Sequence, residues 1–412
     1  MGPSGHTVIL VGCSCLLTLS TPQACPTVIA ADTRGWASTR ANAAAYPGSM
    51  PYPARGYCVN MATIEDNHRL PLPVARGAMS AFLVDLLTSE VGPHGIDPIP
   101  DLVQPEADAI TDDDLQLSLF VLYELHYRGI NGVDDRWEWS PNLLDLRARL
   151  EHRFEQRVNN LLDPAPSVES VDDVVQVLTE LTAPDPRGRL TSFVARRAEK
   201  KHVQELLTHR SVYHLKEADP HTWAIPRLHG APKAALVEIQ TDEYGGGRPE
   251  WVHSTMFANA MTGAGLDATY GALLDSVPGV SLAVVNAMSF FGLHRRHRGA
   301  VVGHLAAFEM TSTHPNRRYA QGMRRLGFTS DVTAYFDEHV EADAIHEQVA
   351  CHDMVGGLLH QDFSLAPDVL CGARTALLLD DLVADHLFEN WDAGRSSLHN
   401  HSTHQYLVER SA

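Results

Sequence analysis

From Leu70 to Trp391 apolar residues return at three- and four-residue spacing, with Pro or Gly at the breaks, and the two-residue alternation of strands is almost absent. A chain patterned this way buries one stripe of each helix against other helices, so the fold class it dictates is all-α, a helical bundle. The spacing predicts helices over 75–90, 113–127, 141–162, 171–181, 190–215, 232–244, 253–262, 281–312, 316–326, 331–359 and 367–391. Asp112, Ser140, Ser170 and Ser330 are suited to cap helix starts, because each side-chain oxygen can accept from a free amide of the first turn.

The 412 residues carry 51 acids against 32 bases, a formal charge of -19, and no basic stripe that would neutralise phosphates. A nucleic-acid partner is not expected. No apolar run approaches the roughly 18 residues that a membrane helix needs, so no membrane partner is expected either. Six cysteines, at 13, 15, 25, 58, 351 and 371, are too few and too clustered for a disulfide framework, which points to a reducing cytoplasmic location.

The organisation expected is an N-terminal extension over 1–60, a helical support or dimerisation region over 61–165, a chemistry-bearing domain over 166–395, and a tail over 396–412. Residues 1–60 hold no Lys, no Glu and one Asp, Asp32, in long runs of small residues. Residues 7–20 imitate the apolar core of a secretory signal and Leu10-Val11-Gly12-Cys13 a lipoprotein site, but no Lys or Arg precedes them. Met61 is the expected biological start, with the extension disordered or non-native. The segment Asp163-Pro164-Ala165-Pro166 marks the internal boundary, and in the first helical region Phe82, Leu83, Leu86 and Leu87 form a core-facing stripe.

Among the 23 histidines, two stand out. His339, Asp343 and His346 fall at i, i+4 and i+7, within about 60 degrees of one another on one helix face, so three metal-competent side chains point the same way. In all-α bundles, dinuclear iron or manganese sites are assembled from inward carboxylates and histidines of several helices. The remaining donors are therefore sought as acids inside apolar runs. Glu309 is one, in 303–310 (GHLAAFEM). Glu243 is another, at a helix end before three glycines, with Glu238 and Asp242 as rivals on the same helix. Glu217 closes a long helix before Asp219-Pro220, and His253 opens the helix after the glycines.

The stretches 215–228 (LKEADPHTWAIPRL), 237–247 (VEIQTDEYGGG), 253–261 (HSTMFANAM), 308–312 (FEMTS) and 337–346, with Gly394-Arg395-Ser396-Ser397, resemble the haem-oxygenase-like diiron oxidases, also called iron-containing redox enzymes. The resemblance implies a seven-helix, haem-oxygenase-like bundle holding two Fe(II) ions, with O2 as co-substrate. Its ligands would fall on Glu217, His253, Glu309, His339, Asp343 and His346, with Glu309 as the bridge. Nitrogen-oxygenating members have one more carboxylate ahead of the second-helix histidine, the place that Glu243 takes. One such branch fuses a cupin to its C-terminus, whereas this sequence ends at Ala412, so chemistry needing a cupin is not expected.

The function this resemblance implies is that of a cytoplasmic non-haem diiron oxygenase acting on the amine or guanidine nitrogen of a small amino-acid-like metabolite in a biosynthetic pathway. It would work as a homodimer, with an external electron donor as partner. A substrate carboxylate would need an arginine, and Arg227, Arg248, Arg295 and Arg296 are near the motifs in sequence. Two alternatives compete: a diiron desaturase or carbon-carbon cleaving oxidase of an amino or fatty acid, favoured if Glu243 faces solvent, and a metal-free helical module, which requires dispersed ligands.

Overall fold

In the computed structural model, residues 68–91, 99, 102, 107–183 and 188–399 are described; the expected extension over 1–60 and the end of the tail lie outside them. The chain runs through α1 (Ala78–Leu87), α2 (Asp113–Glu124), α3 (Pro141–Leu161), α4 (Val171–Leu181), α5 (Arg189–Arg196), α6 (Lys200–His214), α7 (Asp219–Thr222), α8 (Gly230–Glu243) and α9 (His253–Gly263). It continues through α10 (Gly279–Leu293), α11 (Arg298–Arg325), α12 (Ser330–Gln348), a π-helical stretch (Val349–Gly356), α13 (Gly357–Gln361) and α14 (Ala366–Asp392). No strand occurs among the described residues, only the isolated bridges Leu70 to Ile130 and Tyr244 to Val252. The fold is all-α, as the periodicity dictates. None of the described helices is long and apolar enough to cross a membrane.

The most buried helices lie at the centre. α10 is apolar on every side and buries residues from Gly279 to Gly292, and α2 is buried from Leu115 to Glu124. They pack on each other, and α10 also meets α14 and α6. α11 and α14 approach closely because their contact is built on glycines: a Cβ at Gly303 would collide with the Val369 carbonyl, and one at Gly372 with that of Ala300. Helices before and after the exposed 163–166 linker contribute to one continuous hydrophobic core. Ser397, at the start of the expected tail, is buried, donating through Oγ to Glu205 and meeting His209 at 2.9 Å.

Several helix boundaries differ from the sequence reading, and the single helix expected over 190–215 breaks between Arg196 and Lys200 into α5 and α6. The break expected around Pro315 is absent, since α11 runs through that proline while packed along both α12 and α14, and burial of a whole helix outweighs one lost backbone bond. The break falls instead after Leu293. There the Arg227 guanidinium donates to the carbonyls of Gly292 and Leu293, capping α10 from a distant loop. The expected 331–359 helix divides into α12, a π-helical stretch and α13; Ser330 is already the first residue of α12, and Ser140, although it stands at the start of α3, accepts no first-turn amide through its side chain. Asp112 and Ser170 cap as expected, accepting from Leu115 N and Asp173 N.

Candidate metal centre

Glu217 sits in the turn between α6 and α7, followed by Ala218 at φ 75°, the one non-glycine with positive φ among the described residues. Glu243 ends α8. The chain then turns through Gly245, Gly246 and Gly247, all at positive φ, and returns along the Tyr244 to Val252 bridge to place His253 at the start of α9. A Cβ on Gly245 would strike the backbone of Trp251 and Val252, so this tight return requires glycine. Glu309 projects from the middle of α11, and α12 supplies His339 and His346.

These six side chains converge. One donor atom each from Glu217, Glu243, His253 and His339 lie within 4.8 Å of one another, and so do donors from Glu243, Glu309 and His346. Glu243 belongs to both groups, whereas the resemblance implies Glu309 as the shared carboxylate. All six residues are buried. Asp343 lies on α12 one turn beyond His339, but its side chain is outside the described residues. Of the rivals to Glu243, Glu238 is exposed, and Asp242 is 58% exposed while meeting His346 Nε2 at 3.0 Å.

A second layer of contacts orients the donors. His339 Nδ1 donates to the Tyr335 carbonyl at 2.8 Å, which turns Nε2 toward Glu217 Oε1 at 3.8 Å. The Tyr335 hydroxyl contacts both Glu217 carboxylate oxygens, at 2.8 and 2.7 Å. His346 donates through Nε2 to Asp242 and so aims Nδ1 at Glu309 Oε2, 3.4 Å away. His253 Nδ1 lies 3.0 Å from Glu243 Oε2. His214 donates to the Arg210 carbonyl and turns Nε2 toward Glu217 at 3.9 Å; burial pushes its imidazole down to about 4, against the pull of Glu217. Sequence reasoning misses Tyr335 and His214, although they lie four residues before His339 and three before Glu217.

Burial works to raise the Glu217 carboxyl, but His214, His339 and His253 outweigh it and hold it well below the ordinary range. Burial works to lower His253, and Glu243 raises it instead. Among the described residues, no Lys or Arg forms an ion pair with Glu217 or Glu243; their partners are histidines. Holding Glu217 and Glu243 buried with no Lys or Arg ion pair is costly, and carboxylate oxygens with imidazole nitrogens are the donor set that iron takes. The residues present therefore fit a dinuclear iron group.

A cavity of about 1140 Å³ adjoins the cluster and is lined by Glu217, Glu243, Glu309 and His339. None of the four arginines considered from sequence lines it. Arg227 caps α10, Arg248 lies over the Trp251 ring, Arg296 pairs with Glu155, and Arg295 is exposed.

Residues 204–381, the segment holding all seven expected donors, match the model of the family described as iron-containing redox enzymes. By that match, which covers somewhat less than half of the chain, the segment is similar to the iron-containing redox enzymes. The chain is also 27% identical over 161 residues to a nitrosourea synthase of Streptomyces achromogenes subsp. streptozoticus, over 38% of this chain and 34% of that protein. The aligned part thus spans about a third of the length of this curated relative.

Proposed function

We propose that the protein is an O2-dependent non-haem diiron oxygenase that oxidises the amine or guanidine nitrogen of a small metabolite. The observation that carries this reading is the pair of buried donor groups joined at Glu243. Two groups of donors with one carboxylate in common suit two metal ions side by side, Glu217, His253 and His339 serving one and Glu309 and His346 the other. When bound, the two irons supply the capacity to reduce O2 and to pass one oxygen atom to the substrate.

The chain's own residues set the conditions for that chemistry. Tyr335 and Asp242 hold the Glu217 carboxylate and the His346 ring in orientations that leave their donor atoms facing inward. Tyr213 and Phe308 line the cavity beside the cluster and limit water there, so an amine entering without its hydration shell keeps its lone pair free to react. The matched relative is a nitrosourea synthase, and a nitrosourea carries oxidised nitrogen, which favours nitrogen over carbon as the atom oxidised. Burial of Glu243 removes the condition that favoured the desaturase or cleavage reading, and convergence of six donors argues against the metal-free module.

The test is to supply the ferrous protein with a panel of amines and guanidines under ¹⁸O2 and track the products by mass. Incorporation of one labelled oxygen on nitrogen is the expected result. O2 consumption coupled only to loss of two hydrogens or of a carbon fragment would replace this reading with the desaturase or cleavage one.

A further inference from the structure

His221 and Gln240 line the same cavity as Glu217 and Glu243, from α7 and α8, and both are almost fully buried. Each carries one polar atom without a hydrogen-bond partner in the chain, Nδ1 of His221 and Nε2 of Gln240. The other polar atom of each side chain is engaged. His221 Nε2 lies 3.1 Å from His304 Nδ1 on α11, and Gln240 Oε1 accepts from the Thr222 hydroxyl at 2.9 Å. Because Thr222 directly follows His221, the two side chains share one part of the cavity wall. The rings of Tyr213 and Phe308 flank it, centred 6.4 and 6.0 Å from the His221 ring.

Leaving a buried donor or acceptor unpaired costs about 1–3 kcal/mol, so two such atoms on one stretch of cavity wall call for a guest. Burial pushes the His221 imidazole down to about 4, against the pull of Glu217, and that of His304 well below the ordinary range, so both rings are neutral near pH ~7. A neutral imidazole and a side-chain amide offer N–H groups and lone pairs but no charge. A carboxylate placed against them would lose its hydration and gain no cation, whereas a carboxamide, with both N–H and carbonyl oxygen, completes both partners. The place also stands at a defined distance from the cluster. Gln240 precedes Glu243 by three residues on α8, a rise of about 4.5 Å, and His221 follows Glu217 by four.

We propose that His221 and Gln240 form a subsite for an uncharged carboxamide, so that the molecule oxidised carries such a group a few bonds from its reacting nitrogen. This rests on the cavity being the place where the proposed oxidation occurs. Thr222 and His304 back the subsite, each holding the engaged atom of one of its two side chains.

The experiment is anaerobic titration calorimetry of the ferrous protein with matched triplets of amines ending in a carboxamide, a carboxylate or an alkyl group. These are β-alaninamide, β-alanine and butylamine; γ-aminobutyramide, γ-aminobutyrate and pentylamine; and δ-aminovaleramide, δ-aminovalerate and hexylamine. At least one carboxamide is expected to bind about tenfold more tightly than both its acid and its alkylamine. Gln240→Met, which keeps the length of the side chain but has no N–H, removes that advantage while leaving the alkylamine unchanged, and His221→Phe does the same. If no carboxamide binds more tightly than both its acid and its alkylamine, or if the Gln240→Met loss is shared by all three members of a triplet, the subsite is overturned. Iron content measured on the same samples separates the two readings: wild-type protein that takes up no iron contradicts the metal centre, while the triplets still report on His221 and Gln240 in the iron-free protein.

Discussion

Lys216 and Glu217 are neighbours in sequence, both buried, and they serve two polar clusters that solve the same physical problem differently. Lys216 inserts its ammonium between Phe120 and Tyr127 and lies 2.9 Å from Glu124, a fully buried carboxylate that also accepts from the Tyr270 hydroxyl at 2.8 Å. That cluster carries its own counter-charge. Glu217 belongs to a cluster of three buried carboxylates and three imidazoles, in which neither Glu217 nor Glu243 forms an ion pair with a Lys or Arg among the described residues. A buried carboxylate with a lysine is complete and ties α2 to the α6–α7 turn; buried carboxylates grouped with imidazoles suit a cation that comes from outside. The left-handed Ala218 directly follows this pair of oppositely employed side chains.

The largest effect that would sharpen this contrast is expected from Lys216→Met. It leaves Glu124 buried without a counter-charge and lowers stability by about 3–5 kcal/mol in denaturant titrations, whether or not iron is present. Glu217→Gln is expected to cost less than that in the iron-free protein, because the amide keeps an acceptor for the Tyr335 hydroxyl and gives up only the imidazole contacts that hold the carboxylate ionised. Equal losses for the two variants would break the comparison.

Ferrous ion added to wild-type protein at a hundred times its dissociation constant should raise stability by about 2.7 kcal/mol, and Glu243→Ala should lose most of that gain. A thermal melt with and without Fe(II) measures it. Asp242→Asn, which loosens the orientation of His346 without touching a donor, should weaken ferrous affinity by roughly 10- to 100-fold in competition with a chelator. Smallest of all, Ala218→Gly should stabilise the fold by about 1 kcal/mol, since glycine reaches the left-handed region without the Cβ penalty. If that same variant also weakens iron binding, the strained turn is part of what holds Glu217 in place.

Much of the bundle was legible in the sequence, because helical burial writes itself as a three- and four-residue period. The donors were legible for a related reason: a carboxylate inside an apolar run, such as Glu309, or two histidines on one helix face, such as His339 and His346, contradict their surroundings. What could not be read depends on how helices turn toward one another. Glu238, Asp242 and Glu243 share one helix, and only the rotation of α8 in the bundle buries Glu243, exposes Glu238 and leaves Asp242 at the rim to hold His346. Nearness in sequence does not tell what a side chain does either: Arg227, near the motifs, is engaged in capping α10. Pro315 shows the converse, a strong local signal for a break that long-range packing overrides.

Iron stoichiometry tests the central claim most directly. Purified protein would be stripped of metal, loaded with ⁵⁷Fe(II) without oxygen, freed of excess iron, and examined by elemental analysis and Mössbauer spectroscopy. The expected result is two irons per chain in two ferrous environments, falling to one or none in Glu243→Ala. Wild-type protein that keeps no iron, or a single ion untouched by Glu243→Ala, would contradict the reading of the six buried donors as a two-metal centre.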